Sequence, residues 1–376
     1  MFYQHFIFFS WLCAAFGFWK PFKKPSKNVF LVLGRKLWPV FIILCTSICF
    51  LLTNKSYVFD IKTNLYQLAV LNQVACNVGI MLAEISNSEN VCFLLYQTVR
   101  KCFKTFEVSN RNIKNIAFKM YFWMSIPIII YLGAIIWEAK IRQEMPYLLL
   151  SQIPLFLTVC HLVVHLYLIF SILKLVNRCL SITLMFCDDL KIADASCKVR
   201  PLILYLLDIN ESFLDNNQVN QRLDLKNIFR VYDDISSCMK LLEKYHGLQI
   251  LLAIWLMFSN AVTGISLTVS KQAEYPSEVI SNACLPFLWF IMGCYVQDEV
   301  RTEVEKTDNQ LIKHLIDFRC DQPRKSMLQS FKQLVGTERL KFTAYSLFEL
   351  NYSLIVGTIL HIVTYSIILI QLLMSK

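Results

Sequence analysis

The amino-acid sequence predicts an all-α membrane protein: seven transmembrane helices with cytosolic helical extensions, the N-terminus inside and the C-terminus outside. Three observations carry this. Of the 376 residues, 56% are hydrophobic and 17% charged, where a soluble domain carries about 25% charged residues. Seven stretches of apolar sequence contain no Asp, Glu, Lys or Arg and come close to or exceed the roughly 20 residues that a helix needs to cross about 30 Å of hydrocarbon. With the N-terminus placed in the cytosol, 31 of the 37 Lys and Arg residues fall on the inner side, as the positive-inside rule requires.

The elements follow in order. Residues 1–36 form a cytosolic or interfacial segment. Within it, residues 2–19 are crowded with aromatic rings and are followed by Lys20, Lys23, Lys24 and Lys27, a combination that suits the headgroup level. The segment lacks a basic leader and an A-x-A-like site, so it is not read as a removable signal peptide. Residues 37–173 hold spans one to four, at 37–53, 65–82, 120–137 and 147–173, with a glycosylation sequon, Asn54-Lys55-Ser56, just outside the first. Residues 174–247 form a cytosolic helical region punctuated at Pro201 and Asp215-Asn216-Asn217. Within it Ile228, Val231, Tyr232, Ile235, Cys238, Met239 and Leu242 recur at helical spacing, which predicts an amphipathic helix leading straight into span five. Residues 248–296 hold spans five and six, 248–269 and 279–296. Residues 297–353 form a cytosolic helical anchor region, in which Val304, Leu311, Leu315 and Phe318 continue span six and Asp321-Gln322-Pro323 marks a turn. Residues 354–376 are the seventh span and a short extracellular tail.

Several function classes drop out. The nine glycines are never closer than 17 positions, which excludes a phosphate-binding loop, a dinucleotide fingerprint, a nucleophile elbow and a GxxxG helix-pairing motif. Asp188-Asp189 and Asp233-Asp234 are carboxylate pairs without metal-ligand spacing around them and read as solvated helix faces, so no enzyme is expected. The net charge of +10 comes from basic residues interspersed with acids; it points to anionic lipid headgroups and away from nucleic acid. Seven spans suggest a G-protein-coupled receptor, but the orientation is opposite, and the third span runs out as Trp137-Glu138-Ala139-Lys140 without Asp-Arg-Tyr. The 14 cysteines avoid the short outer loops, so no disulfide is expected.

The last span reads Gly357-Thr358-Ile359-Leu360-His361-Ile362-Val363-Thr364-Tyr365-Ser366-Ile367-Ile368-Leu369-Ile370-Gln371. Its Thr-Tyr pair, five mostly apolar residues and Gln resemble the closing signature of insect gustatory receptors. The run from Phe342 to Asn351 is similar to the stretch that precedes it in that family. Seven spans and a cytosolic N-terminus extend the resemblance over nearly the whole chain. There are departures: Ser366 stands at a site usually apolar, Leu372 where Phe is frequent, and Asn351 where an acidic residue is common. The resemblance implies a homotetrameric, ligand-gated, nonselective cation channel in the plasma membrane of sensory neurons, working alone or with other gustatory receptor subunits. In that family the seventh helix lines the pore, cytosolic helices anchor the tetramer, and a pocket among the other spans takes the tastant.

The residues permit this. On a helix, Gly357, His361, Thr364, Ile368 and Gln371 form one continuous stripe. Four copies around an axis would set a ring of Ile368 beside a ring of Gln371 amides; apolar rings gate by dewetting, and amides replace part of an ion's hydration. Leu372 is the alternative gate position. The competing reading is ordinary helix packing, in which Gln371 bonds a neighbouring helix. Tyr365 lies on another face and is expected to pack against span five or six. His361 on the stripe predicts a conductance that changes between about pH 6 and 7 if water reaches it.

Polar residues inside spans need partners and mark pocket candidates. These are Gln67 and Gln73 in span two, Tyr131 in span three, Gln152 and His161 in span four, Asn260 and Thr263 in span five, and Trp289 in span six. Their mixed chemistry favours a bitter or otherwise aversive compound over a sugar. His161 and His165 are one helical turn apart, but no HExxH pattern and no third ligand accompany them, so buried hydrogen bonding is expected, with neither metal nor cofactor. Two other functions compete: a secondary transporter, which would show charges and broken helices within its spans, and a receptor that signals without conducting.

Overall fold

In a bilayer each backbone N–H and C=O needs an internal partner, and the chain meets this with long helices. The computed structural model describes residues 61–86, 89–106, 110–142, 152–189, 225–270, 276–316, 322–337 and 340–374. The interfacial segment 2–19, the first span, the sequon, the turns at Pro201 and 215–217, and Phe318 lie outside them. The helices are α1 (Ile61–Ser86), α2 (Glu89–Thr105), α3 (Asn110–Arg142), α4 (Ile153–Asp189), α5 (Leu225–Val269), α6 (Pro276–Ile316), α7 (Gln322–Thr337) and α8 (Tyr352–Met374). Four are long and apolar enough to cross a membrane within Asn112–Lys140, Leu155–Leu184, Leu225–Val269 and Tyr352–Met374, and α1 adds a shorter apolar stretch, Leu71–Ala83.

The amphipathic run and the fifth apolar stretch are one unbroken 45-residue rod, α5. Its periodic residues Ile228, Val231, Tyr232, Ile235, Cys238, Met239 and Leu242 are all buried. They form the seam against which α2 and α7 lie, while the apolar half takes α1, α4, α6 and α8. Helices α4, α5 and α6 make the centre, and α3 rests on α4 and α6. Cys179 of α4 and Cys238 of α5 are buried free thiols and pack as small apolar side chains.

Polar links tie the bundle where apolar packing thins. Asn177 of α4 donates to the backbone oxygen and to the carboxylate of Glu303 on α6, both at 2.8 Å, and its own oxygen accepts from Thr307 Oγ1 at 2.6 Å. Lys306 completes the carboxylate's partners at 2.6 Å. At the surface, Lys101 of α2 pairs with Asp234 of α5 at 2.8 Å, so one of the two carboxylate pairs expected as solvated helix faces supplies a bridge between helices.

The anchor region, 297–353, holds the end of α6 and the whole of α7, and between α7 and α8 it also contains an element that helical periodicity does not suggest: a two-stranded antiparallel hairpin, β1 (Thr343–Ala344) and β2 (Phe348–Glu349), pairing Thr343 with Glu349 and Ala344 with Phe348. Its tip turns through left-handed backbone at Tyr345 (φ 55°) and Ser346 (φ 60°), which no helix continues through.

Candidate pore helix and ligand-binding core

Helix α8 starts at a defined cap. Asn351 Oδ1 accepts from the Leu354 N–H at 2.8 Å, and Asp298 Oδ2 of α6 accepts from the Tyr352 N–H at 3.2 Å, which satisfies two of the orphan donors of a helix start. Asn at 351 therefore acts as a capping residue without adding charge. Upstream, the carboxylate of Glu243 on α5 accepts from both the N–H and the hydroxyl of Thr343, at 2.8 and 2.6 Å. Gln297 donates to the Leu340 carbonyl at 3.3 Å. Gly247 allows a close approach here: a Cβ at that position would stand 3.1 Å from the Tyr345 backbone nitrogen, so the hairpin would have to give by a few tenths of an ångström.

From that base α8 presents two unlike faces. Ile355, Thr358, Ile362 and Ser366 are buried against α5 and α6; Ser266 Oγ donates to the Ser366 carbonyl at 3.5 Å, which places the departure at Ser366 on the packed side. His361, Thr364, Ile368, Gln371 and Leu372 are exposed on the protomer, and Gly357 is half-buried. The stripe expected from spacing thus lies within a broad uncovered face of α8 that also includes Val356, Leu360, Val363 and Ile367. Tyr365 sits to one side, its ring edge-on to Phe258 of α5 at 5.7 Å, as expected for packing against span five.

The pocket candidates do not gather into one chamber. Asn260 and Gln73 are buried and bond each other, Asn260 Nδ2 to Gln73 Oε1 at 2.8 Å, joining α5 to α1. Next to them, Asn72 donates to Ser259 at 2.6 Å and accepts from Trp255 at 3.0 Å. Tyr131, Phe156 and Trp289 form an aromatic cluster with centroids 4.6 to 5.3 Å apart. Gln152 is buried at the start of α4, where its carbonyl accepts from Phe156 N–H at 2.9 Å. Thr263 is half-buried on α5, and the side chain of Gln67 lies outside the described residues. Between α4, α5 and α6 is a small, almost wholly apolar cavity lined by residues including Leu155, Val159, Ile254, Met257, Pro286 and Phe290. Sequence reasoning sought polar residues and so missed these. The signal was Pro286, which removes a helical hydrogen bond and opens packing inside a span.

His161 and His165 gain a third neighbour that the sequence did not reveal. His246 of α5 lies with its ring centroid 5.0 Å from that of His161 and 5.6 Å from that of His165, and all three are fully buried.

Comparison with known proteins places this architecture. Two solved structures of the insect olfactory receptor OR5 from Machilis hrabei share the fold. The one in complex with eugenol has a TM-score of 0.68 at 15% identity, over 99% of this chain and 97% of that one. The other has a TM-score of 0.66 at 15% identity, over 98% of each. No protein of curated function matches the chain. The family model of the 7tm chemosensory receptors matches residues 7–375, and a capped terminal helix, a central three-helix core and a match over nearly the full length make the chain a member of the seven-transmembrane chemosensory receptor family.

Proposed function

We propose that this receptor is a gustatory, ligand-gated, nonselective cation channel and not an enzyme, built from four copies that meet along α8 and opened by a small organic tastant, aversive rather than a sugar. Its place is the plasma membrane of sensory neurons, with the N-terminus in the cytosol, and other gustatory receptor subunits are candidate partners. One observation carries the reading: His361 and Gln371 lie on the uncovered face of a mainly apolar, membrane-length helix, whereas Thr364 beside them turns its hydroxyl back to the Leu360 carbonyl at 2.9 Å. Polar side chains at membrane depth face water or another protein surface, not lipid. A central aqueous pore supplies both.

The ligand enters through the core between α4, α5 and α6. The apolar cavity there and the neighbouring Tyr131–Phe156–Trp289 cluster suit a mainly hydrophobic compound with few polar groups. The eugenol-bound neighbour has the same fold and holds an aromatic compound of that character. Binding widens the core, shifts α5 and α6, and carries the hairpin and the base of α8 outward.

The test is single-channel recording from purified receptor in a planar bilayer during a screen of bitter and phenolic compounds. Ligand-evoked cation currents are expected, with Gln371→Glu favouring cations over anions more strongly and Gln371→Leu cutting conductance several-fold. Ligand binding without current at any voltage would overturn the channel and leave a non-conducting receptor; accumulation of the ligand inside vesicles would indicate a transporter.

A further inference from the structure

We propose that His161, His165 and His246 form a binding site for a divalent transition-metal ion of the zinc class, clamping α4 to α5 next to the hairpin that leads into α8. One nitrogen from each ring belongs to a set whose members all lie within 4.8 Å of one another. Ligands at about 2.0–2.1 Å from a tetrahedral zinc stand about 3.3 Å apart, so modest side-chain rotations close the set around an ion.

The orientation of two of the rings is the decisive observation. His165 Nδ1 lies 2.8 Å from the His161 carbonyl oxygen, and His246 Nδ1 lies 2.8 Å from Gln249 Oε1. Both partners are oxygens and accept, so each Nδ1 carries the proton and each Nε2 keeps its lone pair. Those two Nε2 atoms are buried and make no hydrogen bond. A buried acceptor left empty is a cost that proteins normally avoid. An imidazole held by Nδ1–H to an oxygen, with Nε2 turned inward, is the arrangement that metal-binding histidines adopt.

The donor set selects the ion. Three neutral imidazoles, joined by no carboxylate among the described residues, suit zinc, copper or nickel and are poor ligands for magnesium or calcium. Three protein ligands leave a fourth position for water or hydroxide, and hydroxide lowers the charge carried into the buried site. Tyr96 lies tilted beside His165 at 5.0 Å and Tyr245 stands edge-on to His246 at 4.6 Å, fencing the site with rings. The residue after His246 is Gly247, against which the hairpin backbone rests. A filled site would therefore fix the portion of α5 that carries the base of the terminal helix.

The test uses the full-length receptor, purified with a tag free of histidine, in lipid nanodiscs. After chelator treatment it is titrated with Co2+ and Zn2+, and metal per chain is measured by mass spectrometry alongside the visible Co2+ spectrum. One ion per chain, a tetrahedral Co2+ spectrum and a raised thermal midpoint with Zn2+ are expected. Gln249→Ala, which takes away the amide oxygen that orients His246, should weaken binding about 10- to 100-fold, and His246→Gln should abolish it. Absence of stoichiometric metal in the unsubstituted receptor would overturn the site, as would equal binding by folded His246→Gln protein. Neither outcome depends on whether the receptor conducts.

Discussion

Helices α4 and α8 are equally apolar in sequence, yet 83% of the apolar window of α4 is buried and only 22% of that of α8. The polar side chains of α4 are largely buried, and several find partners inside the protein: Asn177 on Glu303 and Thr307, His165 Nδ1 on the carbonyl one turn before it. On α8, His361, Thr364 and Gln371 point out of it. A third helix extends the contrast. Helix α3 is also only 22% buried over its apolar window, but its uncovered residues there include Phe122, Trp123, Ile126, Ile129, Ile130 and Leu132, a surface suited to lipid. Hydropathy tells that a helix leaves water; the chemistry of its uncovered face tells whether it meets lipid, its own core or other subunits.

A matched pair of truncations puts the distinction between α4 and α8 to its hardest test. Ile169→Ala on α4 removes a fully buried side chain and is expected to destabilise the fold by about 2–5 kcal/mol, seen as a lower thermal midpoint of the solubilised protein. Ile368→Ala on α8, 46% exposed, should change protomer stability by less than about 0.5 kcal/mol while altering channel closure. Equal losses of stability would mean that the two helices are not different in kind. Next comes Asn177→Leu, which strips a donor from the buried Glu303 carboxylate and should cost about 1.5–3 kcal/mol, read from the same melting curves. The mildest change is expected from Lys101→Ala: the Lys101 side chain is 54% exposed, and the lost ion pair should cost less than about 1 kcal/mol. A large loss there would show that the α2–α5 contact carries more than its surface bridge.

How far these features were legible in the sequence depends on distance along the chain. Local periodicity suffices for α5, because its buried residues repeat every three or four positions within one element, and for the uncovered stripe of α8, whose members span 15 residues. It fails for Gln73 with Asn260, 187 positions apart, and for Asn177 with Glu303, 126 apart. Gln73 and Asn260 each read alone as a polar residue in an apolar span, and Glu303 as one of several charges on its helix. His246 illustrates the same failure, since nothing in its own segment points to His161 and His165 on α4. The hairpin escaped for a different reason. Two residues per strand are too few to show alternation, and its reversal rests on positive φ at Tyr345 and Ser346, where the sequence has neither the Gly nor the Asn that marks left-handed backbone.

The cap at Asn351 makes a lever of α8. The helix is held at its start by Asn351 and Asp298, and Gln371 lies 20 residues beyond that fixed end. At about 1.5 Å per residue this is an arm of about 30 Å, so a tilt of about 5° at the base sweeps the amide through about 2.6 Å. In the proposed tetramer, four such arms moving together would widen an opening by about the diameter of a water molecule across each radius, a change on the scale that separates a dry constriction from a wet one. In the proposed channel, a displacement at the core too small to be noticed as a rearrangement would be, at the far end of the arm, the difference between closed and open.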